Sequence, residues 1–202
     1  MKLLGIRVGL YILLAVGIAQ VLTFEAVHFS KEVMFGEFGF VQLLQSIFLL
    51  TSVILLWTLS RRNGTYRELV ICFALVFAVL LIRENDQIFE MLLMHGFWKW
   101  PALLVILFLG WYSIRNRRTV LEQLEDFSCS LPFGVLIAAM CTLVFSRLFG
   151  GSSFWKVVMM DNFDHIAKAA AEEGTELFAL GLILAFSIEC FFLGAEAKRK
   201  PS

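Results

Sequence analysis

A group of charged residues that could do chemistry directly follows the apolar stretch of residues 69–82. It comprises Arg83, Glu84, Asp86 and Glu90. On a helical period of 3.6 residues, Arg83, Asp86 and Glu90 share one face. Ionisable groups at membrane depth are costly unless they are paired or hydrated, so they indicate a functional site by default. The other interpretation is an ion pair of Arg83 that simply ends the apolar segment.

A second polar group precedes the last apolar stretch. Its members recur at steps of four, three, four and four residues: Asp161, His165, Lys168, Glu172 and Glu176. This spacing predicts an amphipathic helix over about 158–173 that lies in a membrane interface with a solvated polar face and bends at Gly174. In the functional interpretation, Glu172, Glu173 and Glu176 turn toward neighbouring helices instead.

A third group contains amides within an apolar stretch, where such side chains usually hydrogen-bond to other helices. Gln42 and Gln45 follow Glu37 at roughly helical spacing. These amides could serve only as packing contacts. If helix direction alternates, however, all three groups lie at one level and form an acidic pocket. The predicted ligand-binding residues are Glu37, Gln42, Gln45, Arg83, Glu84, Asp86, Glu90, Glu172, Glu173 and Glu176.

A divalent metal is a further hypothesis, because imidazole and carboxylate groups bind zinc and related ions. The predicted ligands are His95, His165 and Glu172. The sequence lacks the paired-histidine motifs of zinc enzymes, so the three histidines could also be unrelated loop residues. No other cofactor is predicted.

The elements that must position these residues are membrane helices. With 59% hydrophobic residues and a mean hydropathy of +0.81, the chain has more apolar surface than a soluble core of 202 residues could bury. We predict an all-α, polytopic membrane helix bundle that forms a single integral membrane domain over residues 1–202. Its six expected spans, each near the length needed to cross the hydrocarbon, are about 6–24, 38–59, 68–90, 100–114, 132–149 and 175–194.

The distribution of charge predicts the orientation. If the amino terminus is cytoplasmic, the alternating spans place eleven of the 17 lysines and arginines inside. Eleven of the 17 carboxylates then lie outside. Both termini are therefore expected in the cytoplasm, with the protein in the cell inner membrane. Residues 6–24 are expected to remain as an anchor.

Three classes of function fit this pattern. The first is binding or passage of a cation or small cationic solute at the acidic pocket. The second is a membrane-embedded, metal-dependent enzyme acting on a lipid or lipid-linked substrate, and the third is a non-catalytic accessory subunit or membrane effector. The expected partner is the lipid bilayer rather than nucleic acid. Gly5 and Gly9 form a G-x-x-x-G pattern that would suit a homo-oligomer or a membrane partner subunit.

Overall fold

The protein is all-α in the residues that its structure, a computed structural model, describes: 2–30, 34–36, 39–62, 64–92 and 94–197. Nine α-helices occur in these ranges. They are α1 Lys2–His28, α2 Phe40–Ser60, α3 Arg67–Glu84, α4 Asp86–Leu92, α5 Lys99–Arg115, α6 Arg117–Ser128, α7 Leu131–Phe149, α8 Ser152–Met159 and α9 His165–Ala197. A single 3-10 turn, Met160–Asn162, separates α8 from α9.

Four of the helices are long and apolar enough to cross a membrane, which suggests a multi-pass membrane protein. They lie in α1, α2, α7 and α9: Gly5–His28, Phe40–Ser60, Leu131–Phe149 and His165–Leu193. Each overlaps a span expected from the sequence. The expected spans at 68–90 and 100–114 correspond to α3 and α5, which have 18 and 17 residues. These two helices differ from the other four in composition and length. Helix α3 has charged residues at both ends, and α5 is short.

The chain divides into two compact units. Unit 1 contains residues 1–45 and 139–181, and unit 2 contains residues 46–138 and 182–202. The boundaries fall inside α2, α7 and α9, so each of these helices contributes to both units.

In unit 1, α1 packs on α9 at two glycines. A Cβ at Gly174 would come within 2.8 Å of Leu22 Cδ1, and one at Gly181 within 3.1 Å of Ile18 Cδ1. Small residues let helices approach closely where both are surrounded by apolar material. Helix α9 is continuous through Gly174, and the absence of a side chain at this position makes room for Leu22 of α1.

In unit 2, the core consists of aromatic rings. The Phe186 ring lies edge-to-face to those of Phe73, Phe77 and Phe127, with centroids 5.2, 5.8 and 6.3 Å apart. Edge-to-face pairs add to the free energy gained by burying apolar area. Phe77, Phe127 and Phe186 are almost fully buried.

Helix α6 lies across the start of α3 and supplies its missing cap. Gln123 Oε1 accepts a hydrogen bond from Leu69 N (2.9 Å), while Gln123 Nε2 donates to Glu68 Oε2 (3.1 Å). The first backbone N–H groups of a helix have no partner within it, so a side chain from elsewhere can satisfy them. Tyr66 donates a second link to Asp126 Oδ2 at 2.6 Å. Residues 117–128 lie between the spans expected at 100–114 and 132–149, where no helix was predicted.

Two further expectations differ from the structure. The helix predicted to run from residue 68 to 90 is interrupted at Asn85, which separates α3 from α4. The Asn85 side chain donates to Leu81 O (2.8 Å) and accepts from Ser46 Oγ (3.1 Å), and such side-chain bonds compete with the helical ladder. The predicted interfacial helix at 158–173 is divided by the turn at 160–162.

Candidate functional site

An arginine near the carboxyl end of α7 organises the charged residues of unit 1. Arg147 Nη2 lies 2.6 Å from Glu176 Oε1, and Arg147 Nη1 lies 3.4 Å from Glu172 Oε1. Lys168, one helical turn before Glu172, pairs with its other oxygen at 2.9 Å. Ser146 Oγ also donates to the Glu172 backbone carbonyl at 3.0 Å. Both carboxylates thus have cationic partners, which offset much of the cost of placing them among apolar helices.

The third carboxylate of this group has a different partner. Gln45 Nε2 donates to Glu173 Oε2 at 3.0 Å and makes a longer contact of 3.4 Å with the Glu173 carbonyl. Within the part of the chain that the structure describes, no lysine, arginine or histidine nitrogen lies within 4.0 Å of this carboxylate. Glu173 is therefore held by a neutral amide.

Gln45 itself has spare bonding capacity. Its side chain is fully buried, and its Oε1 atom lacks a hydrogen-bond partner among the described residues. A buried acceptor without a donor costs free energy comparable to a lost hydrogen bond. We call Gln45 and Glu173 the amide–acid pair. Among the described residues, the carboxylate of this pair has no cationic side chain within 4.0 Å, and its amide oxygen has no hydrogen-bond donor.

The tight connection after α7 accommodates this network. A Cβ at Gly150 would overlap the carboxyl group of Glu172. Since that carboxyl is fixed by Arg147 on one side and Lys168 on the other, it has little freedom to move away. Gly150 is thus needed for the close approach of α9.

Another carboxylate, Glu25 of α1, is fully buried and bonds only to backbone in the described residues. Its oxygens accept hydrogen bonds from Phe35 N at 2.8 Å and Val41 N at 2.7 Å. Val41 lies in the first turn of α2, where a negative charge is favoured by the helix dipole. Phe35 has a φ of 54°, an uncommon conformation for an aromatic residue, which the bond to Glu25 helps to hold. Glu25 thereby ties the connection between α1 and α2 to α1.

The predicted site residues at the end of α3 and in α4 belong to unit 2. Glu90 accepts hydrogen bonds from His95 Nδ1 at 2.8 Å and from Gly96 N at 3.0 Å, which closes the turn before α5. The Arg83 side chain is exposed, and Glu84 and Asp86 are half-buried at the break between α3 and α4. The structure thus brings Gln45, Glu172, Glu173 and Glu176 into one unit, together with the half-buried Gln42. Glu37 lies outside the described residues.

The predicted metal ligands do not form a recognisable metal centre in the described residues. His165 is exposed, with its ring 4.7 Å from that of Phe163, whereas His95 is exposed and paired with Glu90. No group of three or more histidine, cysteine, aspartate or glutamate side chains suited to holding a metal ion occurs among the described residues.

Four polar residues that are buried or paired in unit 1 were absent from the predicted site: Glu25, Ser146, Arg147 and Lys168. A signal existed for Arg147, which lies inside the span predicted at 132–149, where an ionisable residue indicates a polar partner. Lys168 lay on the predicted polar stripe but was assigned to solvent. Glu25 gave no such signal, because its partners are backbone N–H groups, which no residue type identifies.

Compared with protein-family models, curated proteins and solved structures, the chain has no match in any of the three.

Proposed function

We propose that the protein crosses the cell inner membrane six times, with both termini in the cytoplasm and α3 and α5 joining the four longer helices. At 1.5 Å per residue, α3 and α5 are about 27 and 26 Å long, close to the ~30 Å hydrocarbon thickness. Small differences of this size are absorbed by local thinning of the bilayer and by flanking charged side chains. Supporting this, α5 exposes large apolar side chains, among them Leu104 (68%) and Ile114 (73%), which would otherwise contact water.

Within this bilayer we propose that the protein binds one small monovalent cation, a proton included, at the amide–acid pair. The observation that carries the proposal is the Glu173 carboxylate, which has an amide and no cation as its close partner among the described residues. A bound cation would neutralise the Glu173 carboxylate. If that cation is a proton, the protonated carboxyl group gains an O–H donor, which would also satisfy Gln45 Oε1. Oxygen atoms of carboxylates and amides are also the ligands that hard metal cations prefer.

The charge balance of the described network supports a single positive charge. Arg147 and Lys168 face three carboxylates, those of Glu172, Glu173 and Glu176. Arg147 and Lys168 are engaged by Glu172 and Glu176, which leaves the charge of Glu173 in excess. The proposed class of ligand, a single monovalent cation, is thus smaller than the class expected from the sequence, which also included small cationic solutes.

Cation binding can be tested on purified protein in nanodiscs of zwitterionic lipid. The midpoint of thermal unfolding would be measured in lithium, sodium or potassium chloride and in N-methylglucamine chloride at equal ionic strength. Binding to the folded state alone stabilises by about 1.4 kcal/mol at ten times the dissociation constant. If the ligand is a proton, infrared difference spectra would contain a protonated carboxyl band that disappears in Glu173→Gln.

The matched control is Glu122→Gln, which removes the same charge from an exposed position on α6. We expect Glu173→Gln to abolish the cation-dependent stabilisation or the carboxyl band, and Glu122→Gln to keep them. Identical cation responses and identical carboxyl bands in wild type and Glu173→Gln would refute the proposal.

A further inference from the structure

The same pair of residues occurs at the carboxyl ends of α2 and α5 in unit 2. The Arg61 guanidinium lies over the Trp57 ring, 5.4 Å from its centroid, and Arg115 lies over Trp111 at 5.6 Å. In both cases the arginine follows the tryptophan by four residues, one helical turn. The two tryptophans are 45% and 55% exposed, so each indole also has a free side.

Both pairs lie at one end of unit 2. Only residues 61–66 connect the end of α2 to the start of α3. The end of α5 leads directly into α6, which is bonded to the start of α3 through Gln123 and Asp126. The carboxyl ends of α2 and α5 are therefore near the same point, the amino end of α3. Arg62, over the Phe191 ring at 4.4 Å, adds the end of α9 to this group.

Among the described residues, this end of the unit carries several arginines with no carboxylate within 4.0 Å. Five arginines there have exposed side chains: Arg61, Arg62, Arg115, Arg117 and Arg118. The ion pairs of the described residues involve Arg67 and Arg147 but none of these five. We call the five the basic end. A guanidinium stacked on a ring uses its face for the ring and keeps its edge, with the N–H donors, free.

We propose that the basic end binds the phosphate groups of anionic phospholipids, with Trp57 and Trp111 lying against the carbons next to the headgroup. The guanidinium edge matches the paired oxygens of a phosphate. Tryptophan favours the boundary between headgroups and acyl chains. The proposal depends on the membrane embedding proposed above and is independent of the amide–acid pair.

A lipid headgroup fits this surface better than a soluble phosphate because apolar side chains continue directly from the cations. Ile54 and Ile114, each within one helical turn of a paired tryptophan or arginine, are 55% and 73% exposed. A soluble phosphate would contact only the guanidinium groups. A phospholipid would contact the guanidinium groups, the indoles and these aliphatic side chains together.

Binding of anionic phospholipids at the basic end can be measured as lipid selectivity. The protein would be reconstituted in phosphatidylcholine bilayers with spin-labelled phosphatidylglycerol or phosphatidylcholine, and the relative association constant determined from the motionally restricted component. We expect Arg61→Gln with Arg115→Gln to lower the preference for phosphatidylglycerol about fivefold or more, since each arginine near a membrane surface attracts anionic lipid. Trp57→Leu with Trp111→Leu keeps the charges and should lower the preference less.

The control variant, Lys99→Gln with Lys156→Gln, removes two exposed cations outside the basic end. It should keep the wild-type preference. Three results would overturn the proposal: an unchanged preference in the arginine variant, an equal loss in the lysine variant, or loss of the wild-type preference on adding soluble glycerol phosphate. Thermal unfolding of each variant checks that it is folded. If the double arginine variant does not fold, the single variants Arg61→Gln and Arg115→Gln replace it; each should lower the preference, and an unchanged preference in both would overturn the proposal.

Discussion

Carboxylates among apolar helices differ in role according to the partner that each one reaches. Glu172 and Glu176 reach cations, Glu25 reaches backbone N–H groups, and Glu173 reaches an amide. Pairing with a cation or bonding to backbone N–H groups satisfies the hydrogen-bonding needs of the carboxylate, so these residues have a structural role. Glu173 differs from the other three because its side-chain partner is a single neutral amide, whose own Oε1 atom has no hydrogen-bond partner among the described residues, and for this reason the proposed binding function is assigned to this residue.

The link between Tyr66 and Asp126 predicts a change of stability in alkaline solution. The hydrogen bond to Asp126 raises the pKa of Tyr66 from 10.0 to about 12, with smaller contributions from burial and from the negative charge of Asp126. The folded state therefore keeps its proton at pH values where the unfolded state has lost it. The stabilisation is complete below pH 10 and lost as the pH rises through about 12.

Thermal unfolding measured from pH 8 upward would reveal this loss. We expect the wild-type midpoint to fall between pH 10 and about 12 more steeply than that of Tyr66→Phe, which has no phenol to ionise. Asp126→Asn, which keeps the phenol and removes the carboxylate that raises its pKa, should weaken the pH dependence in the same range. Parallel pH curves for wild type and Tyr66→Phe would contradict the assignment.

Much of the candidate site could be predicted at the level of residue types but not of partners. Gln45, Glu172, Glu173 and Glu176 were predictable as site residues because polar residues stand out in apolar helices. Which cation pairs with which carboxylate depends on the rotation of α7 and α9 about their axes. That rotation is set by packing at positions such as Gly174 and Gly181, whose neighbours on α1 are far away in the sequence.

At the level of helices, the long apolar segments were predictable because hydropathy alone indicates them. The interruption at Asn85 and the existence of α6 were not. Asn85 breaks the helix through a hydrogen bond from Ser46, 39 residues away. Helix α6 is short and polar, and its position depends on Gln123 reaching the first turn of α3. Both features result from tertiary contacts that override the local pattern.

The connection between α7 and α8 offers a test of close packing between elements. Gly150→Ala should displace the Glu172 carboxyl group from Arg147 and Lys168, because the added methyl would occupy its position. Overpacking of this kind typically costs about 1–3 kcal/mol. The measurement is the free energy of unfolding in mixed detergent micelles.

Gly110→Ala is the matched control, because a Cβ at Gly110 in α5 would have nothing within 4 Å. It should leave the stability unchanged or raise it by up to about 1 kcal/mol, the usual gain from replacing a helical glycine by alanine. If Gly150→Ala were as stable as Gly110→Ala, the carboxyl group of Glu172 would not be fixed in the way the ion pairs suggest.

For the whole molecule, the helices of each unit alternate in direction, and in unit 2 the exposed arginines lie at one end of the alternating helices. In unit 2, five helix ends meet around Phe127 and the basic end. They are the carboxyl ends of α2, α5 and α9 and the amino ends of α3 and α7. In unit 1, the end of α1 meets the start of α2 at Glu25, and the end of α7 meets the first part of α9 at Arg147. Helices that alternate in direction in this way are expected of a chain that crosses a bilayer repeatedly.

One labelling experiment can decide whether the chain crosses the membrane six times or four times. With a cytoplasmic amino terminus, six crossings place the connection between α4 and α5 outside the cell membrane, whereas four crossings place it inside. Met94, 65% exposed in that connection, is the position to replace. Asn162, exposed after α8, is outside in both arrangements, and the exposed Cys129 between α6 and α7 is inside in both.

We expect a membrane-impermeant maleimide to label Met94→Cys and Asn162→Cys on intact cells, each in a Cys129→Ser background. Native Cys129 should react only after permeabilisation, and the background without an added cysteine should not react. Labelling of Met94→Cys only after permeabilisation would remove α3 and α5 from the bilayer. The basic end would then project into the cytoplasm, and the exposed apolar side chains of α5 would need a protein partner instead of lipid.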